Sequence, residues 1–353
     1  MDRFDAERAI GQLFMIGMPG LDLDKETERL IREDSIGGFI LFSRNIEDPL
    51  QLAALCRDLQ AAASKEESPP LFLAVDQEGG RVARLREPFR SFPGNAAIGM
   101  DEEPVKRAIE FATATSQEMR LVGLNMNLAP VVDVQRGEIE KHLAGRSFGE
   151  DPEAVAFLGR TVVKHLQNNG IMAVAKHFPG LGRADVDPHF HLPKINIELE
   201  ELERVNFPPF AAAIEEKVCG IMTSHAIYPA LDPERPATLS LTVLTEVLRD
   251  RMGFKGLTIT DDLEMGAIVA DGSVAEGALK SFQAGADILL ICNDQSHVRE
   301  SLEVMHQALS KGRISKERLA QSLDRITKMK TRFLGHGEEI SLADVRGYFR
   351  RTA

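Results

Sequence analysis

The chain has 353 residues, 43% of them hydrophobic, enough to bury a large core, and its 54 acidic against 42 basic residues give a net charge of −12. That balance argues against a general nucleic-acid binder, which would carry a basic excess or a basic patch. A chain this long exceeds one ordinary domain, although a barrel of alternating strands and helices reaches this size as a single unit.

Short apolar runs recur along the chain. In order they are QLFMIG (12–17), GGFILF (37–42), LFLAVD (71–76), MNLAPV (126–131), IMAVAK (171–176), GIMTSH (220–225), GLTITD (256–261) and DILLIC (287–292). Segments of helical spacing lie between them, among them DPLQLAALCRDLQAAASK, DPEAVAFLGRTVVKHLQNNG and SHVRESLEVMHQALSKG. Several open on Asp-Pro, a capping residue followed by proline at the first helical position. Several close on a glycine: Gly123, Gly170, Gly253, Gly285 and Gly312. Continuously apolar strands are buried on both faces. Eight of them, each followed by a helix, predict a single-domain (β/α)8 TIM barrel over residues 1–335. A doubly wound open sheet is the alternative, since a strand count does not prove closure. SKERLAQSLDRITKMKTRFL reads as a terminal helix, and residues 336–353 as a short polar extension.

Three cysteines, Cys56, Cys219 and Cys292, are far apart and form no CxxC pair, so they read as buried thiols of a reducing compartment. The opening MDRFDAERAIGQLFMIGMPG puts acids before a short apolar run and lacks the basic start of a secretory signal. No run of about 18 apolar residues suits a membrane span. The expectation is a cytoplasmic protein, monomeric or weakly oligomeric, with neither membrane nor nucleic-acid partners.

In such barrels catalytic groups stand at the C-terminal ends of the strands. Here the third strand ends in Asp76, the fourth leads to Asp133 and the fifth ends in Lys176 and His177. The sixth ends in His225, and the seventh in Asp261 and Asp262. Charges at the ends of five apolar strands point to a polar pocket at one mouth, because an isolated buried charge is costly. Successive strand residues point opposite ways, so one of Asp261 and Asp262 faces the axis and its neighbour suits a helix N-cap. In DQEGGRVARL, Asp76 and Arg84 suit a polar ligand or an internal salt bridge. The stretch KHFPGLGRADVDPHFHLP (176–193) offers three chemistries. HFH could hold a metal, Lys176 could form an imine, and the Asp-x-His of Asp187 and His189 could orient an imidazole as a proton carrier.

The ordered set DQEGGRVARL, NLAPVVDV, GRSFGEDP, AVAKHFPG, VDPHFHLP, IMTSHAIYPALD, PATLS and GLTITDDLEMGAI resembles family-3 glycoside hydrolases. In particular it is similar to the single-domain bacterial β-N-acetylhexosaminidases of the NagZ type, over about residues 8–330. The resemblance implies a retaining β-glycosidase on a TIM barrel, without metal or cofactor. It implies Asp261 as nucleophile, Asp187 and His189 as an acid/base dyad on a loop after the fifth strand, and Asp76, Arg84, Arg146, Lys176 and His177 as sugar contacts. The implied substrate is a terminal β-linked N-acetylglucosamine, as in peptidoglycan turnover fragments. The family loop usually reads KHFPGHGDT and its dyad DSH. Here Leu181, Arg183 and Ala184 replace His, Asp and Thr, and the dyad reads DPH. The polar residues expected to brace the loop are therefore missing. The other readings are a β-glucosidase, a glycoside phosphorylase, a metal-dependent barrel hydrolase, and a non-catalytic sugar-binding barrel.

Overall fold

A computed structural model describes residues 9–66, 68–137, 141–184, 186–188, 190–269, 272–335 and 340–352. Among these, eight parallel strands close into a barrel. They are β1 (Phe14–Ile16), β2 (Gly38–Leu41), β3 (Phe72–Val75), β4 (Met126–Asn127), β5 (Met172–Phe178), β6 (Gly220–Thr223), β7 (Leu257–Asp262) and β8 (Ile288–Ile291). Closure comes from β1 pairing with β8, in the register Phe14↔Leu289 through Ile16↔Ile291. All eight expected strands are present, so the open sheet is excluded.

Helices return the chain between strands: α1 (Lys25–Asp34), α2 (Pro49–Lys65), α3 (Pro104–Leu121), α4 (Pro152–Asn168), α5 (Phe207–Glu215), α6 (Thr242–Arg251) and α7 (Val274–Ala284), then α8 (Gln295–Ser310) after β8. The Asp-Pro starts act as read. Asp48 accepts from the N–H groups of Leu50 and Gln51, and Asp151 from that of Glu153, each ahead of a proline that has no N–H to orphan. Strands β2, β3, β5 and β8 are buried along their length, as their unbroken apolar runs require.

Two expectations change. The fourth strand stops at Asn127 instead of running to residue 131. Pro130 has no N–H for the ladder, and regular pairing gives way to an isolated bridge between Val131 and Lys176. The segment beyond residue 335 is not simply polar. After α9 (Lys316–Leu334), a further helix, α10 (Leu342–Thr352), packs Val345 and Phe349 inward, with the Phe349 ring edge-on to Phe89 at 4.8 Å.

The two ends of the barrel differ in chemistry. At the N-terminal end, buried Asp287 accepts from Ser322, Arg325 and Arg249 and from the N–H of Thr258, tying α6 and α9 to β7 and β8. This is the stability face of the fold, and the opposite end carries the site.

Candidate active site

Strand β3 delivers Asp76 to the C-terminal mouth and a short hairpin continues from it, Gln77–Gly79 against Val82–Ala83. Gly79 and Gly80 make the turn at φ +87° and +60°, in the left-handed region that glycine adopts without penalty. Asn127 on β4 clamps this hairpin, accepting from the Gln77 N–H at 3.1 Å and donating to the Gln77 carbonyl at 3.0 Å. Gln77 in turn accepts from the N–H groups of Arg84 and Leu85, both at 2.9 Å. Asp76, Glu78 and Arg84 are thereby fixed relative to β4.

Strand β5 delivers Lys176 and His177, only 2% and 4% exposed. The Lys176 ammonium lies 2.7 Å from Asp76 and 2.7 Å from Glu78. Arg146 forms a bidentate pair with Glu78, both bonds 2.8 Å. Two cations and two carboxylates therefore neutralise one another in a nearly dry site, the condition under which buried ions are tolerated. Burial alone would lower the Lys176 pKa, but Asp76 and Glu78 outweigh it and raise it. Burial would likewise raise that of Glu78, yet Lys176 and Arg146 bring it far below the usual carboxylate range. Arg84 reaches Asp76 only at 3.5 Å, and its buried Nε has no hydrogen-bond partner among the described residues.

Beside this network His177 donates through Nδ1 to Asp133 at 2.8 Å or shares its proton there, and its Nε2 lies 3.5 Å from Arg146. Asp261 ends β7 within the electrostatic reach of His177, His225 and Lys176. Burial favours its neutral form, but these neighbours and the N–H of Asp262 together hold its pKa below the ordinary value. Its neighbour Asp262 goes the other way. Burial, with Glu264 and Asp261 adding to it, pushes Asp262 up to about 7. A pair of acids with divergent pKa values suggests nucleophile and acid, but the contacts of Asp262 point elsewhere. One of its oxygens accepts from the N–H groups of Glu264 at 3.1 Å and Cys292 at 3.2 Å. It secures the end of β7 to β8, and does not cap the short helix Gly266–Val269 as its position suggested. Its carbonyl accepts from His225 Nε2 at 2.9 Å.

Among the sequence-predicted residues, Asp76, Arg84, Arg146, Lys176 and His177 therefore converge with Asp261 at one mouth. Asp187 stands with its carboxylate 4.0 Å from His142 Nδ1, and the next residue, Pro188, accepts from the N–H of Ala267 at 3.2 Å. That bond docks the loop on the chain just beyond Asp261 and Asp262. His189 lies outside the described residues. His191 is exposed. Loop residues without family polarity are held by other means. Leu181 and Ala184 are buried, and Arg183 pairs with Glu201. Two participants had no assigned role in the sequence reading, Glu78 and Asp133. Glu78 was discoverable, because in DQE it follows Asp76 by two residues and so shares its face of an extended chain.

No group of three or more histidine, cysteine, aspartate or glutamate side chains could hold a metal ion among the described residues. No described helix is long and apolar enough to cross a membrane.

Similarity to known proteins follows the same outline. Residues 6–329 match the glycosyl hydrolase family 3 N-terminal domain. The chain is 35% identical over 338 residues to a beta-hexosaminidase of Nitrosomonas eutropha, covering 93% of this chain and 95% of that protein. It is 36% identical to beta-hexosaminidase A of Pseudoalteromonas piscicida over 91% of this chain, but spans only 58% of that longer relative. Among solved structures, a family 3 beta-N-acetylglucosaminidase from Paenibacillus superposes with a TM-score of 0.91 at 36% identity, covering 98% of this chain and 68% of that one. NagZ from Neisseria gonorrhoeae, solved with N-trifluoroacetyl-D-glucosamine, superposes with a TM-score of 0.79 at 28% identity over 97% of both chains. With a family match spanning nearly the whole barrel, this chain belongs to glycosyl hydrolase family 3.

Proposed function

We propose that this chain is a retaining β-N-acetylglucosaminidase that removes a terminal β-linked N-acetylglucosamine. The observation that carries the reading is the placement of Asp261 at the end of β7, at the mouth that holds the ion network of Asp76, Glu78, Arg146 and Lys176. Sugar hydroxyls fall to Asp76, Arg84, Arg146, Lys176 and His177. The Asp261 oxygen attacks C1, the glycosidic C–O bond breaks, and the leaving oxygen takes a proton from His189, oriented by Asp187. Water then gives its proton to His189 and attacks C1, releasing Asp261. An imidazole suits both steps, since its ordinary pKa near 6.5 needs little tuning. The names of the relatives, beta-hexosaminidase and beta-N-acetylglucosaminidase, support the sugar. Three buried free thiols fit a reducing cytoplasm, where peptidoglycan turnover fragments would be the substrate. Residues 1–335 form the catalytic unit in this reading.

An aryl β-N-acetylglucosaminide should be cleaved, at equal rates in phosphate and in an inert buffer. Asp261→Asn should lower kcat by at least about 10⁴-fold, the scale of losing a nucleophile. Activity surviving that change overturns the role of Asp261. Faster turnover in phosphate would make the enzyme a phosphorylase, and preference for an aryl glucoside a β-glucosidase.

A further inference from the structure

We propose that Asp133 is a positioning residue that ties the sugar contact His177 to the root of the proton-carrying loop. The inference rests on the roles assigned above to His177, Asp187 and His189.

Asp133 is 2% exposed, and among the described residues the hydrogen bonds to its carboxylate come from the segment that begins the loop. One oxygen accepts from the N–H of Leu181 at 2.7 Å and from the N–H of His177 at 3.1 Å. The other accepts from His177 Nδ1 at 2.8 Å. A carboxylate only accepts while it is ionised, so Nδ1 is the ring nitrogen that must carry a proton. Nε2 is then the ring nitrogen turned toward Arg146, 3.5 Å away. Asp133 also reaches the Arg146 side of the site through its backbone, because its carbonyl accepts from Ser147 Oγ at 2.6 Å.

The loop root is fixed at the same place. The Gly180 carbonyl accepts from Tyr228 Oη at 2.9 Å and from Asn206 Nδ2 at 3.1 Å. Asn206 stands in a π-helical turn, Leu202–Asn206, and a side chain at Gly180 would collide with it, its Cβ falling 2.4 Å from Asn206 Nδ2. Arg136 donates its N–H to the Gly182 carbonyl at 3.1 Å. These contacts hold residues 180–182, while Asp187 and His189 lie beyond them. One carboxylate thus sets the tautomer of a sugar contact and the height at which the acid/base loop leaves the barrel.

Asp133→Asn tests this with little change of shape. Its oxygen can serve the two backbone N–H groups, but its amide then faces Nδ1 and forces the proton of His177 to Nε2. The comparison uses two aryl β-N-acetylglucosaminides, one with a good leaving group that needs little acid and one with a poor leaving group that needs much. The expected result is a higher KM for both and a kcat/KM loss about tenfold larger for the poor leaving group, within the range general acid catalysis supplies. Azide, which needs no general base, should speed the variant on the good substrate. Equal losses on both substrates, with only a lower Tm, would reduce Asp133 to scaffolding and overturn the proposal. His189→Ala run beside it separates the two readings. If it discriminates between the substrates and Asp133→Asn does not, only this inference fails. If His189→Ala does not discriminate, the proton-carrier reading fails and takes the inference with it. Histidine ¹⁵N NMR of the wild-type protein needs no variant, and a neutral His177 protonated at Nε2 would also overturn the proposal.

Discussion

Glu78 holds the site together through two cations. It receives Arg146 in a bidentate pair and Lys176 at 2.7 Å, with its own side chain 2% exposed. Glu78→Gln keeps the shape but removes the charge, leaving Lys176 and Arg146 to share Asp76. Breaking a buried ion pair by removing one partner costs about 3–5 kcal/mol. The expected outcome is a fall of that order in unfolding free energy by denaturant titration, together with a raised KM because both cations lose their aim. Asp262 offers a test in pH. Its folded pKa, about 7, lies above the ordinary 3.8, so between those values the folded state binds more protons than the unfolded one. The stabilisation is complete below the lower value and is lost as pH rises through the upper one. Asp262→Asn, which cannot ionise and can keep its oxygen toward Glu264 and Cys292, should therefore compare better with the wild type at about pH 8 than at about pH 4, by a few kcal/mol. A difference between the two proteins that does not change with pH would show that Asp262 is not protonated in the folded state.

Among the elements, helix α9 carries the same kind of test with the opposite sign. Lys330 is buried at the N-terminal end of the barrel, donating to Gln12 at 2.8 Å and to the Gly37 carbonyl at 3.0 Å, with its ammonium 4.9 Å from the Phe72 ring centre. Burial lowers its pKa from 10.5 to about 7. The unfolded state then binds more protons than the folded one between those values, so the cost is full below the lower one and relieved as pH rises through the upper. Lys330→Met should raise stability relative to the wild type at about pH 6 and lose that advantage by about pH 10, measured as thermal midpoints. This helix was legible in the sequence, as were the eight strands, because an unbroken apolar run between turn residues has few other places to go. The end of β4 was not, since the proline that interrupts it sits inside an otherwise strand-like run. Helix α10 was missed because it is short, 11 residues, and its apolar residues Leu342, Val345, Tyr348 and Phe349 stand among Asp344, Arg346, Arg350 and Arg351. In the site, the strand-end charges were readable one by one. What local sequence could not supply was pairing across strands, such as Glu78 on the β3 hairpin with Lys176 on β5, or Asp133 with Leu181.

For the whole molecule, the separation of the two barrel ends predicts what removal of the last helix does. Helix α10 packs on α2, and Leu342, Val345, Tyr348 and Phe349 join the core. Val345 is buried, Phe349 meets Phe89, and Tyr348 donates to Glu118 at 3.2 Å. Phe89 and Glu118 belong to the stretch between β3 and β4, four or more residues beyond Arg84. The mouth does not depend on them for its geometry. Arg84 is set by Gln77, Gln77 by Asn127, and the charged network by strands β3 and β5 and by Arg146. Ending the chain at Gly335 exposes the apolar surface beneath Val345 and Phe349, worth roughly 1.5–3 kcal/mol for each side chain. The expected outcome is a thermal midpoint lower by roughly 5 °C, since a chain of this size loses only about 1–2 °C for each kcal/mol. On an aryl β-N-acetylglucosaminide, kcat should stay within about twofold of the full chain at a temperature where both are folded, as expected when the lost contacts are not made in the transition state. A collapse of kcat with the fold intact would place α10 in the catalytic unit and extend that unit past residue 335.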